Sequence, residues 1–174
     1  LLFGLVFLRP LGLRLGSFPS VKSRENQFYY GHPQNRFWKV IAGIFKEPLP
    51  QTIDEKKELL LRHRIAVWDV IDSCDIVGSS DSSIRNVVPN DMNLILSNAK
   101  IQGIFANGGK AHQLFVKYCN KEGMPPLGKL PSTSPANAAW NLERLTAEWK
   151  TAFETYLEIT EQEKTFEKRR NDDG

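Results

Sequence analysis

Ile101-Gln102-Gly103-Ile104-Phe105-Ala106-Asn107-Gly108-Gly109-Lys110-Ala111 is a short apolar run that breaks at a glycine pair and passes into a helical pattern. Residues 101–106 read as a buried strand, because the run is short, apolar and bounded by turn residues. Asn107-Gly108-Gly109 ends it, and a helix follows from Lys110 to Lys121, closed by Gly123 at its C′ position. Strand, glycine turn, helix is one unit of a sheet with covering helices, and the chain on either side repeats the pattern.

Downstream, Leu127 to Leu130 is a short last strand. Pro131-Ser132-Thr133-Ser134-Pro135-Ala136-Asn137 is a tight loop, with Ser134 as cap and Pro135 as the first residue of a final helix. That helix shows Ala138, Leu142, Leu145, Trp149, Ala152 and Tyr156 on one face. From 160 to 174, nine of fifteen residues are charged, which reads as a disordered tail after a single domain over 1–159.

Upstream, Ile65 to Ile71 is a β-branched run suited to a buried strand, followed by a polar loop from Asp72 to Asn86; Asn90 caps a short helix through Leu96. Thr52-Ile53-Asp54-Glu55 is a capping box opening a helix to about His63. Phe37, Ile41, Ile44 and Phe45 predict a helix over 34–46, with Pro33 in its first turn and Pro48 and Pro50 ending it. Residues 5–15 read as an irregular lead-in and the first buried strand. The apolar N-terminus, Leu1 to Leu8, lacks a basic leader and a small-residue cleavage site, and falls short of the ~20 residues of a membrane span.

Strands alternating with helices predict an α/β protein whose parallel sheet is covered on both faces. Ligands of such sheets bind outside the carboxyl ends of the strands. The loops at 16–35, 69–86, 107–109 and 131–137 are therefore expected to converge. The 174 residues suffice for one domain with a full core, and a net charge of +3 is too mild to argue for a polyanion by itself. Cys74 and Cys119 stand in unrelated contexts, as expected of a reduced intracellular, cytoplasmic protein. His63 and His112 lie on helices and read as structural. No His/Cys cluster has metal spacing, so neither metal nor cofactor is expected, and a zinc deaminase is disfavoured.

The densest chemistry lies at Gly16-Ser17-Phe18-Pro19-Ser20 and at Phe28-Tyr29-Tyr30-Gly31-His32-Pro33-Gln34-Asn35-Arg36-Phe37-Trp38. A loop built only to connect has no need of this density of aromatics, carboxamide and imidazole. Together with Ala66-Val67-Trp68-Asp69-Val70-Ile71, Phe105-Ala106-Asn107-Gly108-Gly109-Lys110-Ala111 and Pro131–Asn137, these stretches resemble the uracil-DNA glycosylase superfamily. More narrowly, they resemble its hypoxanthine (deoxyinosine) DNA glycosylase branch, over about Leu11 to Trp149.

The resemblance implies a three-layer α/β/α sandwich around a four-stranded parallel sheet, and metal-free hydrolysis of a base–deoxyribose bond. DNA containing deaminated bases is then the partner, met by a monomer with no membrane role. The base must be extruded into a pocket. Gly16, Ser17 and Phe18 become its floor and stacking surface; a place in the core is the plain alternative for Phe18. Tyr30 lines the wall, while Trp68 and Asp69 end a strand where the base edge is read; Asp69 as a brace for the following loop is the plain alternative. Asn35 carries the catalytic role, its oxygen orienting water and favouring the developing cation, against a plain reading as a helix-start residue. His32 donates to the leaving base or a phosphate, or simply caps.

Ser20, Asn107, Gly108, Ser132, Ser134, Pro135 and Asn137 become DNA contacts through hydroxyls and helix N-terminal amides. Residues Ser79 to Arg85 are expected at the pocket rim or a phosphate, and Lys168-Arg169-Arg170, flanked by acids, reads as solvated surface. Gly16–Ser20 contains no acid, which the branch fast on uracil uses to assist water, and this favours hypoxanthine. A uracil or mismatch-uracil glycosylase, and a non-catalytic nucleic-acid-binding α/β domain, are the alternatives. No lysine stands out as a Schiff-base nucleophile, so strand cleavage is not expected.

Overall fold

The computed structural model describes residues 4–8, 28–75 and 84–155, and of residues 5–8 the backbone. Strand β1 (Gly4–Leu8) is followed by helices α1 (Phe37–Phe45) and α2 (Ile53–Arg62), then by strand β2 (Ile65–Asp69). A hairpin of β3 (Ile71–Asp75) and β4 (Arg85–Pro89) leads to the short helix α3 (Asn93–Leu96). Strand β5 (Gly103–Asn107), helix α4 (Gly109–Tyr118) and strand β6 (Leu127–Leu130) complete the sheet. Residues 142–155 are helical and are called α5.

Local chemistry sets several of these boundaries. The Thr52 hydroxyl accepts from the Glu55 amide (3.1 Å), and the Glu55 carboxylate accepts from the Thr52 amide (3.2 Å), so the capping box opens α2 as the sequence predicts. Helix α1 ends on Lys46 in the left-handed conformation, ahead of Pro48. Helix α4 ends at Tyr118, and Gly123, with φ +81°, sits in a turn beyond it rather than at its C′ position. Helix α5 starts later than expected. The Asn141 side chain accepts from the Arg144 amide (2.8 Å) and caps it, while residues 134–140 form turns.

The main sheet runs β2-β1-β5-β6. Strand β5 pairs with β6 in parallel, but β1 pairs antiparallel with both β2 and β5. The fold is thus mixed α/β with a four-stranded sheet, and the all-parallel expectation is corrected. Alternation of strands and helices does not fix the direction of a central strand, because its backbone groups can form a complete ladder with either orientation of neighbour. Strands β2, β5 and β6 do share a direction, so Asp69, Asn107 and Leu130 end at one carboxyl edge. The register sets Gly4 opposite Asp69, which brings the start of β1 to that edge and its end, Leu8, to the far side. The loop expected to follow the first strand, including Gly16–Ser20, lies outside the described residues.

Apolar residues on β2 and β5 alternate between two clusters. Ile65, Val67 and Phe105 join Phe37, Val40, Ile41, Leu60, Leu145, Trp149 and Phe153 from α1, α2 and α5. Ala66, Trp68, Ile104 and Ala106 join Met92, Ile95, Leu114 and Phe115 from α3 and α4. Strands that are apolar on both faces are what a sheet covered on both sides requires. On α5 the fully buried face is Leu145, Trp149 and Phe153, whereas Leu142 at the expected stripe is 39% exposed. Burying each such large side chain contributes about 1.5–3 kcal/mol. Strands β3 and β4 take up both ends, residues 72–75 and 85–86, of what the sequence reads as a polar loop. No helix among the described residues is long and apolar enough to cross a membrane.

Candidate functional site

The carboxyl edge is organised by Thr133, the one polar side chain among the described residues that is fully buried. Its amide donates to Asn107 Oδ1 (2.9 Å), and Asn107 Nδ2 donates to Thr133 Oγ1 (2.9 Å). Thr133 Oγ1 in turn donates to Asn35 Oδ1 (3.0 Å), which also accepts from the Phe37 amide (2.9 Å). One buried hydroxyl therefore ties together the end of β5, the start of α1 and the loop after β6.

Arg36 holds the same loop by its backbone. Nη2 donates to the carbonyls of Ser134 (2.6 Å) and Asn137 (3.0 Å), Nη1 to that of Trp140, and Nε to that of Thr133 (3.4 Å). The Arg36 amide also donates to the Thr133 carbonyl (3.1 Å). Farther along, Asn137 Nδ2 donates to the Ser132 carbonyl (2.9 Å), and Trp149 Nε1 to that of Pro131 (3.0 Å). Neither Arg36 nor Thr133 is singled out by the sequence. The partners of Arg36 are backbone carbonyls, which carry no residue signature, and those of the Thr133 hydroxyl are side chains 26 and 98 positions away.

On the β2 side, buried polar atoms have fewer partners among the described residues. Asp69 is largely buried, its Oδ1 has no hydrogen-bond partner among the described residues, and burial pushes its carboxyl up to about 7. The Asp69 carbonyl accepts from Asn90 Nδ2 (2.9 Å), which holds the strand end. Tyr30, with φ +56°, is buried with its hydroxyl against Gly4. A Cβ at Gly4 would fall 1.7 Å from that hydroxyl, so only glycine fits there. The hydroxyl lies beside Asn107 without a hydrogen bond of good geometry. Burial, reinforced by the charge of Asp69, raises both the Tyr29 and Tyr30 phenols and keeps them neutral.

The residues named from the sequence are thus partly gathered. Asn35, Tyr30, Asp69, Asn107 and the 131–137 loop share the edge. Trp68 sits on the opposite sheet face among α3 and α4 residues, because neighbouring strand residues alternate faces, and its indole nitrogen has no hydrogen-bond partner among the described residues. His32 is exposed, and its Nδ1 accepts from the Gln34 amide (3.2 Å). The Gly108 amide is held by the Ala106 and Leu130 carbonyls (3.0 and 2.9 Å), and the backbone, with φ +101°, passes close to Ser132. Ser132 and Ser134 hydroxyls accept from the amides of Ser134 (3.2 Å) and Ala136 (3.3 Å), and Pro135 is exposed. Gly16, Ser17, Phe18 and Ser20 lie outside the described residues. No group of three or more His, Cys, Asp or Glu among the described residues could hold a metal ion.

A protein of Methanosarcina acetivorans named hypoxanthine DNA glycosylase is 37% identical over 144 residues, spanning 81% of this chain and 89% of that one. The chain belongs to the hypoxanthine DNA glycosylase family. A second family member, from Methanosarcina barkeri, is 33% identical over 102 residues, covering 57% of this chain and 64% of its own. A solution NMR structure from M. acetivorans, described as a candidate uracil DNA glycosylase, superposes with a TM-score of 0.63 at 30% identity, over 79% of this chain and 85% of the other. No family model matches the chain.

Proposed function

We propose that the chain is a monofunctional DNA glycosylase that hydrolyses the N-glycosidic bond of deoxyinosine, releasing hypoxanthine as the first step of base-excision repair. The observation that carries this reading is the 37% identity to the hypoxanthine DNA glycosylase of M. acetivorans across most of both chains. The chemistry of the carboxyl edge is compatible with it. Breaking the bond moves its electron pair onto the purine while positive charge grows on the sugar, and water adds at the anomeric carbon. Asn35 is the amide offered to the reacting atoms, with exposed His32 nearby on the same loop. Near neutral pH, Asp69 populates both a donating carboxyl and an accepting carboxylate, and the edge of hypoxanthine carries both acceptors and an N–H donor. Tyr30 backs that position, and Gly16, Ser17 and Phe18 supply the floor and stacking surface.

The DNA strand is gripped by Ser20, Ser132, Ser134, Pro135 and Asn137. The Asn107 side chain and the Gly108 amide are engaged within the protein, so their turn contributes through the first amides of α4. The enzyme acts as a monomer and leaves the abasic strand intact. Duplexes carrying single inosine, uracil, xanthine or abasic sites, incubated in EDTA and then treated with alkali, test this. Inosine strands should break only after alkali. The candidate uracil DNA glycosylase as structural neighbour favours uracil as a second reading. Uracil release at an equal or greater rate would establish it, while tight binding without any base release would leave a non-catalytic module.

A further inference from the structure

We propose that Thr133 is a positioning residue that fixes the Asn35 carboxamide oxygen-inward, so that Asn35 meets the substrate through its NH2 group as a hydrogen-bond donor. This rests on the reading of Asn35 as the amide that touches the reacting atoms, and it reverses which atom of that amide does so.

The direction of every bond in the network follows from groups whose roles are fixed. The Thr133 backbone N–H can only donate, so the atom of Asn107 facing it is the oxygen. The other arm of Asn107 is then its NH2, which donates to Thr133 Oγ1. With that lone pair engaged, the single hydroxyl proton of Thr133 is directed to Asn35. The Phe37 amide, again an obligate donor, faces the same Asn35 atom, which is therefore the oxygen. Two donors occupy the oxygen expected from sequence to orient water. Asn35 Nδ2 makes no hydrogen bond with the described residues, so it is the arm of the amide left for the substrate. An outward NH2 suits the leaving group, because it can donate to a purine nitrogen as the electron pair of the C1′–N9 bond moves onto the base. Water then forms the C1′–O bond, and its proton neutralises the released base.

The test is single-turnover inosine release, with duplex affinity and melting measured in parallel. Asn35→Asp keeps both inward bonds but replaces the outward donor with an acceptor, and is expected to react as slowly as Asn35→Ala. Thr133→Val should lower the rate roughly tenfold, the cost of one lost orienting hydrogen bond, with affinity unchanged. Thr133→Ser should recover most of that loss. Thr133→Val added to Asn35→Ala should slow it no further. If Thr133→Val fails to fold, Asn107→Asp carries the test, because it turns the Thr133 proton away from Asn35 without changing size, and it too should slow the reaction. Wild-type rates for Asn35→Asp, Thr133→Val or Asn107→Asp would overturn the inference. So would an equal slowing by Thr133→Val in the presence and absence of Asn35. A wild-type rate for Asn35→Ala would instead remove Asn35 from the mechanism altogether.

Discussion

Along the carboxyl edge of the sheet, the loop around Thr133 and the strand end around Asp69 treat their polar atoms differently. Around Thr133 the buried hydroxyl, the Asn107 amide, the Asn35 oxygen and four loop carbonyls all have partners. Around Asp69, the carboxyl Oδ1 and the Tyr30 hydroxyl are buried with none among the described residues. A satisfied network rigidifies, whereas an unsatisfied buried group costs about 1–3 kcal/mol until something supplies its bond. The first half holds its shape, and on the proposed reading the second is where a polar edge of the base would be received.

The strongest challenge to that division is Asn35→Ala. It should lower the rate of inosine release by about 10²–10³, in line with the loss of one preorganised polar group, while leaving duplex affinity largely intact. A large loss of affinity with little change in rate would place Asn35 in the grip instead. Next in size is Arg36→Met, which removes the clamp on four carbonyls. Chemical denaturation should show a loss of about 2–4 kcal/mol, and protease cleavage should appear within 131–140. An unchanged midpoint would show that the loop holds itself.

Asp69→Asn probes the opposite half. With the folded carboxyl raised to about 7 from an ordinary value of 3.8, both states are protonated at low pH and no charge is buried. Between those values the folded protein keeps a proton that the unfolded chain has lost, so stability falls as pH rises. Above about pH 7 the full penalty is present. The asparagine variant should therefore be more stable than the parent by on the order of 1–3 kcal/mol at pH 8, with the gap closing toward pH 4. Melting curves across that range decide it, and a gap independent of pH would sink the assignment. The smallest effect expected is from Ser134→Ala, a weakening of duplex binding by roughly three- to tenfold with little change in the chemical step.

The sequence was most legible where structure is set by neighbours in the chain. The Thr52–Glu55 box, the β5–turn–α4 unit and the strand at Leu127–Leu130 depend on residues a few positions apart. The direction of β1 and the β3–β4 hairpin depend on pairing partners far along the chain, and neither leaves a local mark. The start of the last helix shows the limit most clearly. Ser134 and Pro135 carry the chemistry of a cap, and the Ser134 hydroxyl does accept an amide two residues on. Arg36, 98 positions upstream, bonds to the Ser134 and Asn137 carbonyls, and residues 134–140 remain turns until Asn141 caps α5. Of the site, Asn35, Tyr30 and Asp69 stand out by residue type. Arg36 does not, because it acts on backbone carbonyls that every residue shares, and Thr133 does not, because its asparagine partners lie 26 and 98 positions away.

Because Arg36 grips carbonyl oxygens, it specifies a path for the chain and is indifferent to which side chains lie along it. The outward-facing positions of that segment, such as Pro135, Ala136 and Ala138, are therefore free to be exchanged while the curve they sit on is retained. If this loop grips the DNA strand as proposed, a fixed curve with interchangeable contents would let strand affinity be retuned one position at a time, leaving the neighbouring chemistry where it is.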